Sequence, residues 1–194
     1  METIIKMMTS NRLSNVFQLK MGLGHCWILE QCPLQWLLNE INSAIKAKIY
    51  YSAISVCLTL PHICSALERE DGRGERDGYY SWYRKYMAGF KYLTAEDAYS
   101  FRNGVLHQGR FGDLSHEVSR VFFIGEGPVT ISDCLVNDMY FHSAHDFCAQ
   151  FSDAVQQWWQ DVKGDPVVAR NLTNLVKYHP NGVAPIARGI MVIG

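Results

Sequence analysis

The chain has 194 residues, 48% of them hydrophobic and 19% charged, with a formal net charge of -1. These figures fit one core domain with attached pieces and exclude a disordered tail or a coiled-coil rod. A pI of about 6.6 also excludes a binder that works through a global basic field, so any contact with nucleic acid must be local.

Residues 1–32 show weak periodicity and are expected to form an N-terminal extension. Lys6, Arg12 and Lys20 interrupt this segment, which lacks the apolar stretch of about 7–15 residues that an export signal needs. The further methionines Met7, Met8 and Met21 leave the natural start open. A cytoplasmic location is therefore expected, with Cys26, Cys32, Cys57, Cys64, Cys134 and Cys148 as free thiols.

A helix is signalled from Pro33, because proline suits a first helical position. Leu34, Leu37, Leu38, Ile41 and Ile45 follow at helical spacing, and the pattern continues through Tyr50, Ile54, Cys57 and Leu58 to Leu67. Pro61 is the expected place for a kink or for two helices to meet. The run from Ile49 to Leu67 carries no charge. A membrane span takes about 20 mostly apolar residues, but the Ser, Thr, His and Pro content here favours a buried helix of a soluble domain, with no membrane as partner.

The stretch from Asp71 to Gly78 sets three glycines among charges and is expected to be a solvated connection that buries nothing. Trp82, Tyr83, Tyr86 and Phe90 then fall on one helix face, where packing is the default meaning and stacking of RNA bases the rival one. Thr94 and Asp97 resemble a capping box that opens a new helix running through Leu106. Beyond Gly109, short β-favouring runs within residues 118–142 predict two or three antiparallel strands. Ser143 can cap a last strong helix, His145 to Val162, followed by a less regular segment, 165–194.

Arg102, Asn103 and His107 form an Arg, polar residue, His pattern on the predicted fourth helix. The stretches Leu58-Thr59-Leu60-Pro61-His62-Ile63-Cys64 and Leu93-Thr94-Ala95-Glu96-Asp97, the latter continuing through Arg102 to Gly109, resemble small uncharacterised bacterial proteins of the HEPN superfamily. The resemblance covers roughly residues 33–162. His62 stands where it implies an acidic residue.

The resemblance implies a mainly α fold, a HEPN-like bundle of four to five helices over residues 33–164, into which the β-favouring runs at about 118–142 place a small antiparallel β insertion. It further implies a homodimer and a metal-independent endoribonuclease of the toxin or phage-defence kind. His107 would serve as general acid or base, since an imidazole titrates near ~6.5. Arg102 would hold phosphate through paired N–H donors, and Asn103 would orient substrate or imidazole. On a straight helix a five-residue step leaves Arg102 and His107 about 140° apart, so either a bend at Gly104 or a two-fold dimer must bring them together. The rival expectation is a noncatalytic module that binds a protein partner, such as an antitoxin, or a nucleotide. Residues 165–194 would then be a partner-specific addition whose deletion leaves the bundle folded.

No Cys-x-x-Cys, Walker loop or dinucleotide fingerprint is present, so no cofactor is expected. His142, His145 and Cys148, with His116 or Cys134, offer zinc-type ligands, but at a spacing that fits packing and capping better. Trp158 and Trp159 are expected as core and dimer-surface anchors.

Overall fold

A computed structural model describes residues 31–110, 118, 120–128 and 130–194. The expected N-terminal extension therefore lies almost wholly outside the described residues, as do Cys26 and His116.

Helix α1 (Gln35–Lys46) buries Leu37, Leu38 and Ile41, the face that the spacing predicts. It does not run on to a kink at Pro61. The chain breaks at Lys48, whose backbone is left-handed at φ 60°. Lys48 N–H donates to the Ile45 carbonyl at 2.9 Å and Ile49 N–H to the Ala44 carbonyl at 2.8 Å, a Schellman ending. Glycine usually marks that position, and a lysine there gives no such signal.

Helix α2 (Tyr50–Leu67) then passes unbroken through Pro61. It is long and apolar enough to cross a membrane by length and composition. Nine of its residues are nevertheless buried, as in the core helix of a globular domain. Helices α1, α3 (Arg76–Tyr86), α4 (Ala95–Gln108) and α5 (Ala144–Val162) all pack against it.

The glycine-rich connection is mostly exposed, as expected, but two of its glycines are half-buried. A Cβ on Gly74 would lie 2.0 Å from the His62 ring, and one on Gly78 would lie 3.2 Å from the Ser65 hydroxyl. These glycines let the start of α3 lie directly on α2. From α3, Tyr79, Trp82 and Tyr83 enter the core, and the helix ends at Tyr86, so Phe90 reaches the same core from the following turn.

The β insertion is mixed, not antiparallel. Strand β3 (Met139–Ser143) lies between β1 (Arg120–Ile124) and β2 (Cys134–Val136). It pairs antiparallel with β2 but parallel with β1, with Arg120 opposite Met139 and Ile124 opposite Ser143. The Asn137-Asp138 turn, with Asn137 at φ 57°, marks the β2–β3 hairpin locally. The pairing of β1 depends on a longer connection that turn chemistry does not specify.

Ser143 caps α5 by accepting from Asp146 N–H. Trp158 and Trp159 are both buried, and Trp158 Nε1 donates to Glu68 at 2.8 Å. Both are thus core residues of this chain and neither is a surface anchor.

Beyond Lys163 lie α6 (Pro166–Asn171), a 3-10 turn (Leu172–Asn174) and four two-residue strands. Strand β4 (Tyr178–His179) pairs with β7 (Val192–Ile193), and β5 (Gly182–Val183) with β6 (Ala187–Arg188). Asn171 is buried and its amide donates to the carbonyls of Leu67 and Arg69 at 3.0 and 2.7 Å. Helix α6 thus satisfies the open end of α2. Asn171→Ala strands both acceptors and is expected to cost about 1–3 kcal/mol in urea unfolding; an unchanged midpoint would show that this contact carries no stability.

Candidate functional site

Helix α4 is fixed at both ends by local chemistry. The Thr94 hydroxyl accepts from Asp97 N–H at 3.1 Å, and the Asp97 carboxylate accepts from Thr94 N–H at 3.3 Å, the reciprocal bonds of a capping box. Gly109 ends the helix in the left-handed conformation at φ 66°. The inner face buries Ala95, Ala98, Phe101, Gly104 and Val105, and Tyr51 of α2 donates its hydroxyl proton to the Val105 carbonyl at 3.0 Å.

The outer face carries half-buried Asn103 and exposed Leu106 and His107, with half-buried Arg102 on its flank. Arg102 Nη1 donates to the Asn103 side-chain oxygen at 2.8 Å. Helix α4 continues unbroken past Gly104, so no break in the helix brings His107 round to Arg102. The structure brings Arg102 and Asn103 together and leaves His107 one turn away toward solvent.

Two residues that sequence reasoning did not place in the site lie beside Arg102. His62 of α2 sits under Gly74, and its ring centroid is 6.5 Å from that of Tyr79 on α3. Burial lowers the proton affinity of His62, the Arg102 guanidinium lowers it further, and the Gly74 carbonyl opposes both. Burial raises the Tyr79 phenol, with Arg102 acting the other way. Both groups are neutral at neutral pH. The His62 Nδ1 atom, the Tyr79 hydroxyl and the Arg102 Nε are each buried without a hydrogen-bond partner among the described residues. His62 carried a sequence signal in its departure from the expected acid, whereas Tyr79 sat among aromatics whose spacing pointed only to packing.

Compared with known proteins, the chain matches no family model, no curated protein and no solved structure.

The zinc-type residues are dispersed. His142 on β3 is fully buried, its Nδ1 lies 2.9 Å from the Ser143 carbonyl and its ring stacks on Phe90 at 5.2 Å. His145 is exposed beside Asp146 at 3.6 Å. Cys148 is buried against Cys57. Among the described residues no group of three or more His, Cys, Asp or Glu is placed to hold a metal ion. The five described cysteines are all free.

Burial depresses His142 as it does His62. An unfolded histidine takes up its proton near ~6.5, before either folded ring does. Their contribution to stability is therefore complete above about pH 6.5 and is lost as pH falls toward the folded values. The depressed carboxylates Asp71, Asp146 and Asp161 act at lower pH, below about 4. Thermal midpoints are expected to fall between about pH 6.5 and 5, and to fall less in the double variant His62→Gln, His142→Phe; parallel curves would rule out these histidines as the cause.

Proposed function

We propose that this protein is a metal-independent endoribonuclease of the HEPN kind, built on a HEPN-like bundle and acting as a two-fold dimer with a composite site. The observation that carries the reading is Arg102. It is a half-buried cation at the edge of the outer face of α4, and among the described residues it bonds only to the neutral Asn103 side chain and no carboxylate pairs with it. Such a group suits an RNA phosphate, to which a guanidinium offers parallel N–H donors.

The remaining chemistry is proton transfer, for which His107 stands exposed on the last turn of α4. Arg102 binds the phosphate, Asn103 holds the guanidinium, and an imidazole exchanges protons with the 2′-OH and the leaving 5′-oxygen. A second copy related by a two-fold axis presents the same residues and supplies the His107 that one helix cannot turn toward its own Arg102. The α2–α4 face suits that contact, since Tyr51 and Leu106 are exposed on it.

The test is incubation of mixed cellular RNA with the protein in EDTA. Wild type is expected to leave fragments ending in 2′,3′-cyclic phosphate, and His107→Ala to cut about 10²–10⁴-fold more slowly. Intact RNA at high protein concentration would refute the activity.

A second reading, a noncatalytic module that binds a protein partner, draws on the C-terminal arm. Ile186 is 94% exposed, and Val183, Ile190, Met191 and Ile193 are exposed beside it. From Pro166 to Gly194 the charged residues are Arg170, Lys177 and Arg188, with no Asp or Glu. Deletion from residue 165 would also remove buried Val168 and Asn171 from α2, so the bundle would not be spared. A chain ending at Tyr178 keeps them. It is expected to cleave RNA like the full chain if the arm serves only a partner; loss of cleavage with an unchanged thermal midpoint would place the arm in the enzyme.

A further inference from the structure

Buried polar groups in folded proteins are nearly always hydrogen-bonded, and an exception calls for a physical reason. Three exceptions meet here: Arg102 Nε, His62 Nδ1 and the Tyr79 hydroxyl. The charge of Arg102 acts on both of the others. By contrast, Arg69, Arg84 and Arg170 on the surface each pair with a carboxylate. Among the described residues no ion pair is formed by Arg102, and the groups it acts on are neutral, one from each packed helix: His62 from α2, Tyr79 from α3 and Asn103 from α4 itself.

A carboxylate at position 62 would pair with the guanidinium and spend its charge inside the protein. The imidazole cannot. It carries no charge, its Nε2 edge lies against Gly74, and its Nδ1 is buried.

We propose that His62 is a positioning residue that fills the place beside Arg102 without pairing with it, so that the whole charge of the guanidinium is left for one RNA phosphate. This rests on the ribonuclease reading above and adds to it what sets the strength of the phosphate contact. The substrate touches Arg102 from the outer face of α4, while His62 acts from behind and need not meet RNA.

The test uses the full chain and a fluorescent 2′-O-methyl RNA oligonucleotide, which binds without being cut, measured by anisotropy in EDTA across a salt series. His62→Glu is expected to weaken binding about tenfold or more, as loss of a charge-assisted contact does. It should also reduce the slope of log K against log salt by about 0.7, the value for one phosphate on a single strand. His62→Gln, which cannot pair ionically with Arg102, is expected to retain both affinity and slope. On cleavable RNA, His62→Glu raises KM more than it lowers kcat. A merely structural role for His62 would shift thermal midpoints and leave the salt slope alone.

Should His62→Glu fail to fold, Asn103→Asp poses the same question from the other side of the guanidinium. It is isosteric, and it is expected to lose more slope than Asn103→Ala. The proposal is overturned if His62→Glu binds with the wild-type slope, if His62→Gln loses as much as His62→Glu, or if Asn103→Asp and Asn103→Ala have equal slopes. Wild-type protein that does not bind RNA would bring down the ribonuclease reading and this inference with it; wild type that binds with His62→Glu unchanged would remove this inference alone.

Discussion

The burial of α2 governs the rest of the molecule. An 18-residue helix extends about 27 Å, and α1, α3, α4, α5 and α6 all pack on it. A side chain enclosed in this way cannot keep a charge without a partner, and α2 carries no Lys, Arg, Asp or Glu from Tyr50 to Leu67. Its polar groups include small hydroxyls that bond back to its own carbonyls, as Ser55 and Thr59 do, the Tyr50 and Tyr51 phenols at its first turn, and His62. The apolar character that lets α2 act as the axis of the bundle also decides what Arg102 finds when α4 lays it against that axis.

What could be read in the sequence was largely what is encoded within a turn or two of chain. The capping box at Thr94 and Asp97, the Ser143 cap and the apolar stripe of α1 all rest on contacts three or four residues long, and the structure has them where the spacing puts them. The features that escaped are those decided at a distance or by a residue in an uncommon role. Lys48 ends α1 in a conformation that usually selects glycine. Strand β1 joins β3 in parallel across a connection that carries its own strand. Gly74 looks like a flexible spacer until α2 is placed beneath it.

The candidate site divides along the same line. Arg102, Asn103 and His107 are near one another in sequence and stand out as a pattern, and the helical repeat alone warned that Arg102 and His107 diverge. Their surroundings did not stand out, because His62 and Tyr79 reach Arg102 only through the packing of three helices. That packing separates two histidines by environment: one exposed at the end of α4, the other half-buried and neutral beside the guanidinium. A single chain thus presents a half-buried cation and an exposed imidazole, with the two directed away from each other. On the reading proposed here, a second copy resolves that divergence.

The most direct test of this account is complementation between two inactive variants. Arg102→Ala and His107→Ala, each unable to cut RNA alone, are mixed under conditions that exchange subunits, and cleavage is followed in EDTA. A composite site leaves one intact active centre in each mixed dimer, so recovery of about a quarter of wild-type activity is predicted from random pairing in a two-fold dimer. No recovery from a mixture whose subunits have exchanged, with wild type active in the same assay, would contradict the composite site.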